Sequence, residues 1–439
     1  MQSITSEMLK SFSEDYHSNP QARLMTAACS KTELPQLACS PADAALLQDT
    51  FSVQVKTHGI TNQKQSGRCW LFASMNVMRE KVIEACSLEG FELSGNYLAF
   101  YDKLEKINYF LGDVINTADL PIRDRTLDHI LSGMQDGGQW DMMVSIIKKY
   151  GIVPASVMPE TYQSCHTRYF TQQVNTKLRH DAIRLRKCVL DGGDAEALRM
   201  EMLSEYYRML CISFGEPPAE FDFAYRDKED VYHVDAGLTP REFYDRYVGI
   251  ALEDYVSIIH SPTTDKPYYR TFTVRHLGNV AEDTIRYLNL PMEELKALTI
   301  RQMQDGEPVW FGSDCGKFSQ REDGIWDPGC FLYEELFGGI SMGMTKEERL
   351  DYRESAMNHA MMLCGVNLNA QGLPDRWKIE NSWGEDAGRK GYYVASDAWF
   401  DAFTYQVVIN KKYLNAAQLA ALGTEPIELE PWDPMGTLA

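Results

Sequence analysis

The sequence predicts an α+β fold in which most helices precede the strands. The run CWLFASMNVMREKVIEAC, which starts at Cys69, has no glycine or proline and repeats apolar residues near helical spacing. Further helical runs fill residues 165–305. After residue 305 the chain changes to short segments rich in aromatic and β-branched residues, separated by Gly, Pro or Asn turns, a pattern typical of strands. Helices followed by strands favour an α+β arrangement.

The helical part is predicted element by element. Residues 1–60 alternate short helical patterns with turn-rich connections. After the helix that begins at Cys69, the run DMMVSIIKKY predicts a helix that ends at Gly151, a residue type common after helix C-termini. Residues 165–305 are predicted to form consecutive helices, one of which opens with a capping box at residues 239–242.

The strand-like part consists of five short segments and a tail. The segments are EPVWFGSD, HAMMLCGVNLN, DRWKIENSW, GYYVASDAWF and YQVVIN. The tail, residues 423–439, has three prolines and no helical period. We therefore expect it to be extended and to end at the carboxylate of Ala439.

Composition excludes several classes of protein. The chain has 439 residues, of which 44% are hydrophobic, enough for a large core. A net charge of −20 argues against nucleic-acid binding along a broad basic groove. No segment approaches the ~18 apolar residues of a membrane span. The N-terminus lacks the basic and apolar regions of a secretory signal, so a cytoplasmic protein without a membrane segment is expected.

The cysteines indicate thiol chemistry rather than a metal site. Ten cysteines are spread along the chain without a CxxC pair or a zinc-like spacing. No metal and no cofactor is therefore expected, and the thiols should be reduced in the cytoplasm. A cysteine before an apolar helix is usually a core residue, which is our interpretation of Cys86, Cys188, Cys211 and Cys364.

Cys69 has features that a core cysteine does not need. It stands where a helix begins, and the positive end of the helix dipole favours a thiolate. His359 opens an apolar strand-like run that would hold its ring rigidly. Asn381 follows in the next such segment and could fix the tautomer of the imidazole. Trp383 could cover the hydrogen bond between His359 and Asn381.

Acyl transfer also needs donors for the developing oxyanion. The backbone N–H of Cys69 is one candidate. Gln63, on the loop before the helix, could supply a side-chain amide as the second, although Gln65 is a nearby competitor.

These residues resemble the motifs of papain-like cysteine peptidases. Gln63, residues 67–70 (GRCW), residues 359–360 (HA) and residues 381–384 (NSWG) match the family's glutamine, cysteine, histidine and asparagine motifs in order. The segment MQDGGQWDMM resembles the family's glycine segment, which pairs with an extended substrate. That match implies that Gly137 and Gly138 line the cleft.

His359 lies much further from Cys69 than the ~130–150 residues of the papain pattern. The enlarged plan and the tail PWDPMGTLA resemble the bleomycin hydrolase and bacterial aminopeptidase C branch of that family. The resemblance implies peptide substrates with a free N-terminus, a homohexamer and a C-terminal arm in the cleft whose carboxylate at Ala439 binds the substrate's α-amino group. It also implies this division of the chain: 1–60 N-terminal extension, 61–164 helical half with the nucleophile, 165–305 helical insertion, 306–422 β half with His359 and Asn381, and 423–439 C-terminal arm.

The sequence leads to one main functional hypothesis and two alternatives. The main hypothesis is a cysteine aminopeptidase of broad specificity that acts through a Cys-His-Asn thioester mechanism, with bleomycin hydrolase-like activity implied by the resemblance. The first alternative is a cysteine endopeptidase or another thiol acyl-transfer enzyme. The second, from another class, is a nucleic-acid-binding or scaffold protein, against which the net charge argues.

Overall fold

The computed structural model describes residues 3–438. Its helices lie mainly in the first half of the chain: α1 (Ser6–Ser18), α2 (Pro20–Cys29), α3 (Leu34–Ala38), α4 (Pro41–Ala44), α5 (Cys69–Cys86), α6 (Gly95–Asn116), α7 (Arg125–Leu131), α8 (Trp140–Tyr150), α9 (Tyr162–Cys165), α10 (Thr167–Leu190), α11 (Ala195–Phe214), α12 (Pro240–Phe243), α13 (Met292–Gln304), α14 (Tyr333–Leu336), α15 (Lys346–Asp351), α16 (Asp397–Phe403) and α17 (Ala416–Leu422).

The strands lie mainly in the second half. They are β1 (Val53–Gln54), β2 (Phe221–Arg226), β3 (Tyr232–Leu238), β4 (Tyr255–Ile259), β5 (Arg270–Val274), β6 (Tyr287–Asn289), β7 (Val309–Ser313), β8 (Ser319–Gln320), β9 (Ile325–Trp326), β10 (His359–Leu368), β11 (Pro374–Glu380), β12 (Tyr392–Ser396), β13 (Thr404–Asn410) and β14 (Ile427–Leu429).

One large sheet organises the strand half. Its order is β14-β5-β6-β4-β13-β7-β10-β11-β12-β9-β8, with β1 paired to β10, while β2 and β3 form a separate hairpin. Strands β7, β10, β11 and β12 are antiparallel neighbours. Most of β10 is buried, so the residues at its ends are held in fixed positions.

Helix α5 lies at the centre of the helical half and packs against β10. Most of its residues are buried, on all sides of the helix, as expected for a core helix that is apolar all round. Its C-terminus is closed by Ser87 in the left-handed region, at φ 51°. A buried helix fixes the position of its first residue, Cys69, relative to the sheet.

Helices α10 and α11 pack on α6, and the capping box at Thr239 and Glu242 is present. The prediction of consecutive helices is wrong for residues 221–289, which contain strands β2 to β6. The buried side chains of β2 alternate with exposed ones, a period of two that fits a strand. In this stretch the two-residue period and the β-branched content outweigh the short helical signals.

One predicted strand is also shorter than expected. The segment GYYVASDAWF forms β12 only as far as Ser396 and then turns into α16. The Ser396 hydroxyl accepts the backbone N–H of Trp399 at 3.1 Å, which is the capping contact that starts a helix. Within residues 3–438, no helix combines the length and the apolar character needed to cross a bilayer.

Candidate active site

The candidate nucleophile lies at the first position of α5. Cys69 is 4% exposed and its thiol is free. The preceding residue, Arg68, has φ −92° and ψ 21° and provides no side-chain cap. The backbone N–H of Leu71 donates to the carbonyl of Arg68 at 3.0 Å, and the N–H groups of Cys69 and Trp70 are left for another acceptor.

His359 and Asn381 are brought together by strand pairing. His359 is the first residue of β10, and Asn381 directly follows β11, the antiparallel neighbour in which Glu380 opposes Met362. Nε2 of His359 lies 2.8 Å from Oδ1 of Asn381. The same oxygen accepts the backbone N–H of Ser382 at 2.8 Å, so the asparagine is fixed by two contacts. Oδ1 can only accept, which makes Nε2 the protonated nitrogen and leaves Nδ1 as the free base.

Trp383 covers this hydrogen bond. Its ring is stacked on that of His359 with centroids 4.9 Å apart and planes at 25°. Asn381 is fully buried beneath it. A dry hydrogen bond is electrostatically stronger than one exposed to water, so the tryptophan stabilises the orientation of the imidazole.

Burial shifts the two reacting groups in opposite directions. It raises the pKa of Cys69 to about 11, although backbone N–H groups of Ala360, Trp70 and Cys69 itself act the other way. It lowers the pKa of His359 to about 4, opposed by the hydrogen bond to Asn381 and reinforced by the charge of Arg321. Burial thus penalises a lone charge at either position. Moving the proton from sulfur to ring would instead create two opposite charges in one cleft, with no net charge.

Gln63 is held in place by both ends of its amide. Nε2 donates to the carbonyl of Ser66 at 2.7 Å, and Oε1 accepts from Oγ of Ser382 at 2.7 Å. The backbone N–H of Gln63 also donates to the carbonyl of Ser382 at 2.9 Å. The second N–H of the Gln63 amide is thereby available in the cleft that Cys69 also lines.

Asp136, which is not among the predicted site residues, anchors the loop before Cys69. Its carboxylate pairs with Lys103 and accepts from Thr167 and, at 3.2 Å, from the backbone N–H of Gly67. Its carbonyl accepts Nε1 of Trp70 at 2.9 Å. An acidic residue directly before Gly137 and Gly138 was the available signal.

Of the two candidate substrate-binding glycines, Gly137 lies at the cleft and Gly138 faces a buried ring. Gly137 lines a cleft of about 750 Å³ together with Gln63, Cys69 and His359. Gly138 packs against Trp70, whose ring atoms would lie 2.5 Å from an added Cβ. This close packing explains why residue 138 is a glycine.

The C-terminal arm reaches the same cleft. Strand β14 pairs in parallel with β5, and Asp433 forms an ion pair with Lys266 at 2.8 Å. Oγ1 of Thr437 donates to the carbonyl of Met357 at 2.8 Å. Thr437 and Leu438 line the cleft, while Ala439 lies outside the described residues.

The structure thus collects most of the predicted site residues at one place. Gln63, Cys69, Gly137 and His359 face one cleft, with the Asn381 hydrogen bond and the Trp383 ring behind His359. The arrangement offers a thiol, a base, an orienting amide and two N–H donors, which is the set that acyl transfer needs.

Comparison with known proteins gives the same picture. The profile of the Peptidase C1-like family matches residues 3–436. Aminopeptidase C of Listeria innocua is 48% identical over 438 residues, covering 99% of each protein, and aminopeptidase W of Lactobacillus delbrueckii subsp. lactis is 38% identical over 441 residues, covering 98% of this chain and 99% of the relative. The crystal structure of PepW from Lactobacillus rhamnosis matches with a TM-score of 0.98 at 48% identity, covering 100% of this chain and 99% of that one. The predicted α+β fold class and the family resemblance are confirmed; the roles of individual residues stay predictions.

Proposed function

The chain belongs to the Peptidase C1-like family and is a cysteine aminopeptidase, and we propose that Cys69 and His359 carry out its reaction on peptides with a free N-terminus. The observation that carries the proposal is the hydrogen bond of 2.8 Å between His359 and Asn381 in a cleft that also receives Cys69 and the end of the C-terminal arm.

The first half of the reaction is acylation. The proton of Cys69 moves to Nδ1 of His359, and the thiolate attacks the carbonyl carbon of the first peptide bond. A carbon–sulfur bond forms and the carbonyl electrons move onto oxygen. The tetrahedral intermediate collapses when His359 gives its proton to the amide nitrogen, so the shortened peptide leaves as an amine and an aminoacyl thioester remains.

The second half is hydrolysis of the thioester. His359 takes a proton from water as the oxygen attacks the thioester carbon, then returns a proton to sulfur as the carbon–sulfur bond breaks. The products are the free amino acid and the original thiol. Asn381 accepts from Nε2 throughout, which keeps Nδ1 towards the reacting atoms.

The oxyanion of both intermediates is stabilised by two donors in this proposal. One is the backbone N–H of Cys69 at the uncapped start of α5. The other is the amide of Gln63, which the contacts to Ser66 and Ser382 hold rigidly. Rigid donors do not have to reorganise as the charge develops, which is the source of their catalytic effect.

The C-terminal arm supplies the preference for a free N-terminus. Thr437 and Leu438 line one side of the cleft, and in this proposal they block the path of residues that would precede the scissile bond. The terminal carboxylate beyond Leu438 would pair with the substrate's protonated α-amino group, a charge-assisted contact that a blocked N-terminus cannot make.

Three further features belong to the proposal and come from the resemblance. The backbone of Gly137 pairs with the extended substrate, the side chain of the first residue is broadly tolerated, and the chain assembles as a homohexamer in the cytoplasm. The assembly is checked by light scattering on the purified protein, where a monomeric mass would contradict it.

The proposal is tested by comparing leucyl-aminomethylcoumarin with its N-acetylated form. The full-length enzyme is expected to hydrolyse only the free amine, and one equivalent of iodoacetamide on Cys69 is expected to stop it. Equal hydrolysis of the two substrates would indicate an endopeptidase instead. Full activity after complete labelling of Cys69 would exclude the thioester mechanism.

A further inference from the structure

Arg321 lies one aromatic ring away from His359. Its guanidinium carbon is 4.5 Å from the centroid of the Trp383 ring, and that ring is stacked on His359. The carbonyl of Arg321 accepts the backbone N–H of Gly388 at 3.2 Å, which fixes the base of the side chain. Arg321 thus places a positive charge near the candidate general base, and the mechanism proposed above gives this charge no role.

The charge of Arg321 is not neutralised by a protein carboxylate. Within residues 3–438, no carboxylate oxygen lies within 4.0 Å of its nitrogens, in a chain with 63 acidic and 43 basic residues. Lys317, four positions earlier, pairs with Glu354 at 2.6 Å. The guanidinium instead rests on Trp383 and also lies next to the hydroxyl of Tyr393. Since a guanidinium has five N–H donors, the stacked ring and one hydroxyl leave donors for another ligand.

The C-terminal arm and Trp383, which carries Arg321, contact different residues around the site. The arm contacts Met357 through Thr437. Trp383 pairs through its backbone with Asn62, directly before the oxyanion donor Gln63. If the arm holds the substrate's N-terminus, the part of the peptide that leaves from His359 extends towards Trp383.

We propose that Arg321 binds a carboxylate on the part of the peptide that follows the scissile bond. The preferred ligand is the C-terminal carboxylate of a dipeptide or tripeptide. This inference rests on the proposed function, because it specifies which peptides the same site prefers. One residue spans about 3.3–3.6 Å, so the carboxylate of a dipeptide lies within one residue length of the scissile nitrogen and that of a tripeptide within two.

The bound carboxylate would also affect His359. The positive charge of Arg321 acts with burial to lower the pKa of His359. A carboxylate on the guanidinium cancels that charge while His359 must accept the thiol proton. The binding of a short peptide would therefore favour the ion pair between the Cys69 thiolate and the His359 imidazolium, on which acylation depends.

The test compares substrates that differ only in the leaving residue. Release of leucine is measured from Leu-Ala, from Leu-Ala amide and from Leu-Asp amide, with the wild type, Arg321→Gln and Arg321→Lys. Leu-Ala carries an α-carboxylate, Leu-Asp amide a side-chain carboxylate, and Leu-Ala amide neither. Arg226→Gln on the β2–β3 hairpin, another exposed arginine, is the matched control.

For the wild type we expect kcat/KM on Leu-Ala to exceed that on Leu-Ala amide about fivefold, as for an exposed ion pair. The ratio should fall to about 1 in Arg321→Gln, fall partly in Arg321→Lys, which keeps the charge without the planar fork, and stay unchanged in Arg226→Gln. A parallel loss on Leu-Asp amide would extend the site to acidic side chains.

A ratio that is the same in the wild type and Arg321→Gln for both carboxylate substrates would overturn the inference. Leucyl-aminomethylcoumarin separates this result from failure of the proposed function. If the wild type hydrolyses it while the ratios do not respond to Arg321, only the carboxylate site is wrong. If the wild type does not hydrolyse it, the aminopeptidase proposal itself fails.

Discussion

Arg79 and Glu380 form a buried ion pair that joins the helix of Cys69 to the strand that leads to Asn381. Nη2 of Arg79 donates to Oε1 of Glu380 at 2.6 Å, and both side chains are almost completely buried. The same nitrogen donates to the carbonyl of Gly59 at 2.8 Å. Arg79 lies on α5, and Glu380 is the last residue of β11, so the pair fixes the distance between the helical and strand parts of the site.

Breaking this pair should strongly destabilise the fold. Arg79→Met leaves the Glu380 carboxylate buried without its cation, and we expect a loss of about 3–5 kcal/mol in the free energy of unfolding. The double variant Arg79→Met/Glu380→Leu should recover most of that loss, because the buried Glu380 carboxylate is then absent. Glu80, the other partner of Arg79, keeps its contact with His58 at 2.7 Å. Urea unfolding measures the stability of both variants. Lys81→Met, which removes an exposed cation from the same helix, is the control. A loss below about 1 kcal/mol in Arg79→Met would show that the ion pair contributes little to stability.

Removal of the candidate nucleophile should abolish activity without unfolding the protein. For Cys69→Ala we expect kcat/KM on leucyl-aminomethylcoumarin to fall by at least about 10³-fold, because no other group can form the thioester. The melting temperature should stay close to that of the wild type. Cys86→Ala, at the other end of α5, should keep its activity. Near-wild-type rates in Cys69→Ala would end the thioester mechanism.

Gln63 and Gln65 can be distinguished by the same substitution at each position. Gln63→Glu replaces the oxyanion donor with an acceptor, and we expect kcat to fall about 10²–10³-fold with a smaller change in KM. Gln65→Glu places the same charge on the same loop, and a much smaller effect is expected. If the two variants exchanged these results, Gln65 would be the oxyanion donor.

The pH dependence of alkylation tests the Cys69–His359 pair. Because the pKa of His359 is lowered to about 4 and that of Cys69 is raised to about 11, the pair keeps one proton to share between those values. The rate of inactivation by iodoacetamide should therefore be nearly flat from pH 5 to about 9, since the ion-paired fraction does not change. His359→Ala should instead react about tenfold faster per pH unit as the lone thiol ionises. A wild-type profile with that slope would show that no ion pair forms.

How much of this molecule the sequence predicts depends on how local each signal is. The helix at Cys69 and the strand at His359 were predicted because their apolar patterns are long and regular. Gln63, Cys69, His359 and Asn381 were singled out by residue type and order, and the structure places them together. Strands β4, β5 and β6 were missed because they have only five, five and three residues, and β4 pairs with the distant β13. The β2–β3 hairpin pairs locally, and its two-residue period was overlooked beside the helical signals around it.

Contacts between distant segments could not be predicted from residue type alone. Asp136 accepts from Gly67 and pairs with Lys103, and Arg321 reaches Trp383 from an exposed loop. Neither residue has a neighbour in sequence that indicates its partner. Gly138 was selected from the sequence for substrate binding. The structure shows a different constraint at this position, because the ring of Trp70 leaves no space for a side chain.

Deletion of residues 437–439 tests whether the C-terminal arm selects substrates with a free N-terminus, because it removes the part of the arm that lines the cleft and leaves Cys69 and His359 intact. The measurement is kcat/KM for free and N-acetylated leucyl-aminomethylcoumarin, with full-length and shortened enzyme. We predict that the shortened enzyme loses much of its rate on the free amine and gains hydrolysis of the acetylated substrate. An unchanged preference for the free amine would contradict the role of the arm and with it the structural basis proposed here for aminopeptidase activity.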